Sequence, residues 1–335
     1  MIKQFSSPLR FAPIYKEKIW GGSALREKLG KNAPAGQRIG ESWEVSGWGD
    51  SQTAVADGDY AGMMLGELFA REPVALAGSA AYGKSSFPLL FKFIDAQENL
   101  SIQVHPNSKQ ARARGWGERG KTEAWYVVDA VPGAKIALGF NRSGVSGEDV
   151  MEAVKNGCLE SLMNFVPANR GDTFFIPAGT VHAILEGVLI YEVQEESNTT
   201  LRLYDWNRGG AQGSPRELHI EDALDIINFT ETRLLKPAPV TIEKNEIFNY
   251  ESLCSNSKFM MSRYRFSKTG VAELGAVDSF RVLSVTAGSA ALQTLNDRIP
   301  LALGETILIP SRLENIKIIG EPVTDILMTT CTLQP

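Results

Sequence analysis

One short stretch occurs twice in this chain, and it limits the fold more than any other feature. Gly171-Asp-Thr-Phe-Phe-Ile-Pro177 returns as Gly304-Glu-Thr-Ile-Leu-Ile-Pro310, an offset of 133. Upstream, Trp125-Tyr-Val-Val-Asp-Ala-Val-Pro-Gly133 lies over Phe280-Arg-Val-Leu-Ser-Val-Thr-Ala-Gly288, an offset of 155. The difference, 155 − 133 = 22, is close to the length of a helix-like stretch from about 144 to 165. Two similar β units follow, the first carrying a helical insert between equivalent strands. We place the units at 1–235 and 236–335 of the 335 residues.

The rest of the chain reads mainly as strand, in short β-branched and aromatic runs separated by Gly, Pro, Asn and Asp. Phe87 to Asp95, Ala124 to Val128, Thr173 to Ile176, Val188 to Val193 and Phe259 to Phe266 are examples. Helices are expected over Ser146 to Asn156, with Ser146 as N-cap, over Ile220 to Asn228 and over Met64 to Ala70.

Only three histidines occur, and two of them, His105 and His182, sit in strand-like segments. In Ser101-Ile-Gln-Val-His105 the period of two puts Ser101, Gln103 and His105 on one face and Ile102 and Val104 on the other. An apolar core would not accept three such side chains together, so that face lines a polar cavity or solvent. Glu123 opens an apolar run, and His182 follows a Pro-Ala-Gly-Thr turn. Any one of these residues alone is better explained as a core histidine or a solvated strand end. As a set, Gln103, His105, Glu123 and His182 offer nitrogen and oxygen donors suited to zinc and its neighbours. At an offset of 155 Glu123 falls on Asp278, and at 133 His182 falls on Asn315, so the first unit is the active one.

Alternation also groups Glu192, Gln194 and Glu196 on one face of a strand, and Arg202 with Tyr204 on the next. His219, before the second helix, receives a capping or surface position and no chemical role. Gly115-Trp-Gly-Glu-Arg-Gly-Lys-Thr122 matches the phosphate-loop pattern letter for letter. Its flanks are wrong: a polar basic segment precedes it and a strand-like run follows. A nucleotide binder at 115–122 is therefore the remote alternative.

Three unpaired-looking cysteines, Cys158, Cys254 and Cys331, fit a reduced, cytoplasmic protein. A net charge of -5 argues against a nucleic-acid partner, and no apolar run is long enough for a membrane span.

Ile19-Trp-Gly-Gly22, Gly40-Glu-Ser-Trp-Glu44, Phe87-Pro-Leu-Leu90, Leu100-Ser-Ile-Gln-Val-His-Pro106, Lys121-Thr-Glu123, Ile176-Pro-Ala-Gly-Thr-Val-His-Ala183 and Ser197-Asn-Thr-Thr-Leu-Arg202 together resemble the type I phosphomannose isomerases. The resemblance implies two cupin-type jelly-roll β-barrels, the insert at 144–165 being the vestige of a larger helical domain. It implies one zinc ion per chain on Gln103, His105, Glu123 and His182. It implies a sugar-phosphate substrate near Ser101, Lys121 and Arg202, with Lys121, Glu192 and Arg202 as the catalytic set. Asn198 stands where many relatives have Asp. Another metal-dependent cupin sugar isomerase and a non-catalytic sugar-binding cupin are the alternative classes.

Overall fold

The computed structural model describes residues 5–208, 215–230 and 235–332. The first half supplies strands β1 (Leu9–Arg10), β2 (Ile14–Gly22), β3 (Ile39–Val45), β4 (Leu89–Ala96), β5 (Ile102–Val104) and β6 (Glu123–Ala130). It continues with β7 (Lys135–Phe140), β8 (Met163–Pro167), β9 (Thr173–Ile176), β10 (His182–Ile184), β11 (Val188–Glu195) and β12 (Leu201–Tyr204). The second half supplies β13 (Val240–Lys244), β14 (Phe248–Ser255), β15 (Phe259–Phe266), β16 (Gly270–Glu273) and β17 (Arg281–Ala287). It closes with β18 (Ala290–Gln293), β19 (Arg298–Leu301), β20 (Thr306–Ile309), β21 (Lys317–Gly320) and β22 (Thr324–Cys331).

The fold is mainly β, as the repeat and the short apolar runs predict. In the first half, β2-β3-β4-β11-β6-β9 faces β12-β5-β10-β7-β8. The strands of the second half form the other pair, β20-β17-β22-β15-β14-β13 facing β16-β21-β18-β19, with β1 of the first half added beside β20. Each pair closes on its own apolar filling. Trp125, Val127, Ile136, Phe174 and Ile190 fill the first barrel. Phe266, Leu283, Val285, Ile307 and Ile318 fill the second. Period two sends the alternate residues of the same strands outward. Ala124, Tyr126, Tyr191 and Val193 of one large sheet meet Phe259, Met261, Val282 and Leu327 of the other. This joint is mainly apolar, and Phe87 and Phe280 meet across it with ring centroids 4.5 Å apart.

The repeated stretch is the turn into β9 and into β20. Its glycine is required in both copies, because Gly171 has φ 91° and Gly304 has φ 79°, where a Cβ is strained. Helix Gly147–Lys155 lies between β7 and β8, inside the expected insert, and Ser146 caps it by accepting from Asp149 N. Helices Leu65–Arg71 and Ile220–Ile226 also form where the sequence predicts them. Ala24–Glu27, Pro73–Ala77 and Ser108–Ala113 were not foreseen, being too short to show a period.

The strand register corrects one correspondence. Glu123 pairs with Ile176, and Arg281 pairs with Ile309. Ile176 and Ile309 are the same position of the repeat, so Glu123 corresponds to Arg281, an offset of 281 − 123 = 158, and not to Asp278. The earlier match slid because both strands read as uninterrupted apolar runs, which any small shift satisfies.

Candidate metal centre

Glu123 begins β6 and points into the first barrel with Trp125 and Val127. His182 begins β10 and pairs with Gln103 of β5, whose other neighbour is Arg202 of β12. Sheet register therefore brings together residues that are up to 99 positions apart, 202 − 103. Ile102 and Val104 pack in the apolar layer behind β5, leaving Ser101 and Gln103 on the cavity side, as alternation predicts.

His105, Glu123 and His182 are buried, with ligand atoms within 4.8 Å of one another. Nδ1 of His105 is 2.9 Å from Thr199 O, and Nδ1 of His182 is 2.8 Å from Thr180 O. A carbonyl only accepts, so each Nδ1 carries the proton and each Nε2 keeps its lone pair. Both Nε2 atoms then face Glu123, at 3.7 Å from Oε2 and 3.3 Å from Oε1. Glu123 Oε1 is buried without a hydrogen-bond donor. Two imidazole lone pairs facing the two oxygens of one carboxylate, one of those oxygens without a donor, form a cradle that a cation can complete. Gln103 Nε2 lies 3.4 Å from His182 Nε2 on the edge of the same cradle.

The electrostatics agree. Burial, with Lys121 adding repulsion, holds His105 well below the usual imidazole range. Burial holds His182 down to about 3. Both rings are thus neutral, the form that ligates metals. Burial pushes Glu123 up to about 7 against the pull of Lys121. Lys121 Nζ contacts both Glu123 Oε2 and, at 3.1 Å, His105 Nε2. Its burial is outweighed by Glu123 and Glu192, which raise its pKa.

Next to this cluster opens a cleft of about 320 Å3, lined by Ser101, Gln103, Lys121, Glu192, Asn198 and Arg202 among others. Trp125 Nε1 donates to Glu192 Oε2 at 2.8 Å, and Lys92 lies 3.4 Å from Glu192 Oε1. Arg202 donates through Nε to Ser101 Oγ at 3.3 Å. Burial and nearby Arg216 lower its pKa. Ser101, Gln103, Lys121, Glu192 and Arg202 thus line one cleft beside His105, Glu123 and His182.

Sequence reasoning missed part of the wall. Lys18, Glu41, Lys92 and Arg216 also line the cleft. Lys92 was detectable, as a lone cation in the otherwise apolar Leu89-Leu-Phe-Lys-Phe-Ile94, where every residue of the strand is buried. Burial alone would raise Glu41, but Lys92 and Lys18 outweigh it and hold it at about 2.

Two other readings change. A register shift between Arg202 and Tyr204 breaks their shared face, and Tyr204 packs in an apolar layer instead. His219 does precede a helix but caps nothing with its side chain, and its Nδ1 accepts from Arg202 N at 3.2 Å. It thereby holds the strand that carries Arg202. The 115–122 segment runs from a helix into β6, with no helix after it, so it lacks the frame of a phosphate loop.

Fold and cluster define a cupin-type protein with a buried His-Glu-His group able to hold a metal ion. Residues 9–129 match the profile of the phosphomannose isomerase type I catalytic domain. The chain is 35% identical to mannose-6-phosphate isomerase ManA of Bacillus subtilis over 317 residues, covering 94% of this chain and 96% of that one. It is 32% identical to a mannose-6-phosphate isomerase of Streptococcus mutans, covering 94% and 96%. A solved mannose 6-phosphate isomerase from Bacillus subtilis superposes with TM-score 0.88 at 30% identity, covering 97% of this chain and 99% of that one. The chain belongs to the type I phosphomannose isomerase family. Among the described residues, no helix is long and apolar enough to cross a membrane.

Proposed function

We propose that this protein is a zinc-dependent aldose–ketose isomerase that interconverts mannose 6-phosphate and fructose 6-phosphate through an enediolate. The observation that carries the reading is the meeting of two neutral imidazole Nε2 atoms with the two oxygens of the buried Glu123 carboxylate, His182 lying against the undonated Oε1. Gln103, His105, Glu123 and His182 would hold the ion. A nitrogen and oxygen donor set of this kind suits zinc. When bound, a divalent cation supplies the positive charge that stabilises the developing oxyanion.

The chain's own residues do the remaining work. Arg202, braced by Ser101, binds the sugar phosphate and adds positive potential over the cleft. Isomerisation removes the C2 proton and returns it at C1, so it needs a base within reach of both carbons. Lys121 and Glu192 are the two groups we assign to that proton traffic, both buried and both lining the cleft. The Trp125 indole fixes one oxygen of Glu192 and leaves the other against Lys92. Asn198, at the exposed lip, cannot serve as a base because its amide does not titrate. A coupled assay of mannose 6-phosphate conversion tests the reading. Turnover should vanish with chelator and return with added zinc. Full activity in a metal-free preparation would refute it.

A further inference from the structure

The second barrel keeps the frame of the metal centre and inverts its charge. Strand β6 lies between β11 and β9, and β17 lies between β22 and β20. Glu123 pairs with Ile176 and Gln194, while Arg281 pairs with Ile309 and Thr330. Both residues begin their strand, and alternation with Leu283 and Val285 turns Arg281 into the barrel. The counterparts of β10 and β5 are β21 and β16, which carry no ligand. Their inward residues are aliphatic: Ile316 and Ile318 on one, Ala272 and Leu274 on the other.

Arg281 is 5% exposed. Its guanidinium donates to Gly275 O, and among the described residues no carboxylate lies within ion-pair distance of it. Burial lowers its pKa on balance, and its electrostatic neighbours are two phenols, Tyr264 and Tyr250. A guanidinium has five donors, and one left without a counter-ion in a protein interior is costly. Such a cost is tolerated where a ligand meets it.

A cavity of about 680 Å3 opens on Arg281, larger than the cleft of the first barrel. Leu274, Val277, Leu313 and Ile316 give it an apolar wall, and Arg312 adds a second cation. The nearby carboxylates are mostly engaged. Glu273 pairs with Lys317 at 2.6 Å, and Asp278 accepts from Ser79 N at 3.1 Å and from its hydroxyl. Glu314 stands exposed at the rim.

We propose that the second barrel binds a small organic anion, its carboxylate or phosphate on Arg281 and its carbon body on Leu274, Val277, Leu313 and Ile316. The planar fork of Arg281 matches either head group. This site is independent of the isomerase reading, since it shares no residue with the metal centre.

The test is calorimetric titration of the full chain with hexanoate and, separately, with inorganic phosphate. Arg281→Met, Arg281→Lys and Arg202→Ala are compared with the unmodified protein. One saturable site outside the Arg202 cleft is expected for at least one anion, since phosphate can also occupy that cleft. Arg281→Met should weaken it by about tenfold or more, the worth of a charge-assisted hydrogen bond, and Arg202→Ala should leave it unchanged. The bound anion should also raise the melting temperature of the unmodified protein and not that of Arg281→Met. If Arg281→Met does not fold, Arg281→Lys keeps the charge and loses the fork, and its weakened binding at unchanged melting temperature makes the same point. Equal affinity in the Arg281 variants, loss of hexanoate binding in Arg202→Ala, or no saturable site for either anion that survives Arg202→Ala overturns the proposal.

Discussion

The two barrels share strand order and a repeated turn, yet their equivalent strand ends hold opposite things. Glu123 faces two lone pairs in one, and Arg281 faces an open cavity in the other. The fillings are alike, aliphatic and aromatic residues at alternate positions. The difference lies at the first residue of a strand and in two neighbouring strands. Positions at a barrel's end can change charge without disturbing the layers beneath, so one fold carries a metal cradle and its inverse.

The sharpest way to break this contrast is to remove an imidazole. His182→Ala should abolish metal binding and cut turnover on the order of 1000-fold or more, since a Lewis acid supplies several kcal/mol. A change on the corresponding strand of the second barrel, Ile318→Val, should leave metal content and turnover unchanged. Metal analysis beside the coupled assay reads both, and a fully metallated, active His182→Ala would end the assignment. Lys121→Met comes next. If Lys121 carries the proton, kcat should fall by about 100- to 10000-fold with metal retained. A near-normal kcat would pass that role to Glu192.

Much of this arrangement was legible in the sequence, for a physical reason. Alternation is a property of the strand itself, so Ser101, Gln103 and His105 declared a shared polar face before any fold was known. Scarcity helped too, since three histidines leave few ways to build an imidazole site. The cleft's other wall was not legible. Glu41 and Lys92 meet only because β3 lies beside β4, and sheet order is not written in either strand. Nor could spacing give the true partner of Glu123 in the second barrel. That needed the pairing of β17 with β20, because apolar runs align equally well at 155 and 158.

A smaller effect distinguishes the barrels by pH. Glu196 lies just beyond β11, where register puts Thr332 in the second barrel, 332 − 196 = 136, the same offset as Gln194 to Thr330. Thr332 satisfies its hydroxyl on Asn256 O at 2.7 Å, whereas Glu196 Oε1 is buried without a donor. Burial pushes Glu196 up to about 7, above its unfolded value of 4.5. The folded state therefore favours the protonated acid, and this contribution is present below pH 4.5 and lost as pH rises through 7. Glu196→Gln should match the unmodified protein near pH 4 and exceed its stability at pH 8 by up to about 3 kcal/mol. Denaturant midpoints at the two pH values check it, and equal gains at both would exclude ionisation as the cause. Arg202→Ala ranks after it. A phosphate anchor predicts KM raised by about 10- to 100-fold with kcat largely intact. A matching fall in kcat and kcat/KM would put Arg202 in the transition state.

The smallest effect concerns the joint between the barrels. Tyr126 faces away from the metal centre on the strand that carries Glu123, and its hydroxyl meets the second barrel. It accepts from Arg263 Nη1 at 3.2 Å and donates to Asp325 Oδ2 at 3.4 Å. Neither partner depends on it. Arg263 keeps Glu251, at 3.0 Å from its Nε, and Asp325 keeps Arg265, at 2.9 Å. Tyr126→Phe should therefore cost only about 1 kcal/mol, the net worth of one hydrogen bond. Because the surrounding joint is a continuous apolar layer, unfolding should remain a single transition, with fluorescence and circular dichroism coincident. Two separated transitions in Tyr126→Phe would mean that this hydroxyl, rather than the apolar layer, couples the barrels. The strand bearing Glu123 would then be held in place by contacts in the barrel that has no metal cradle.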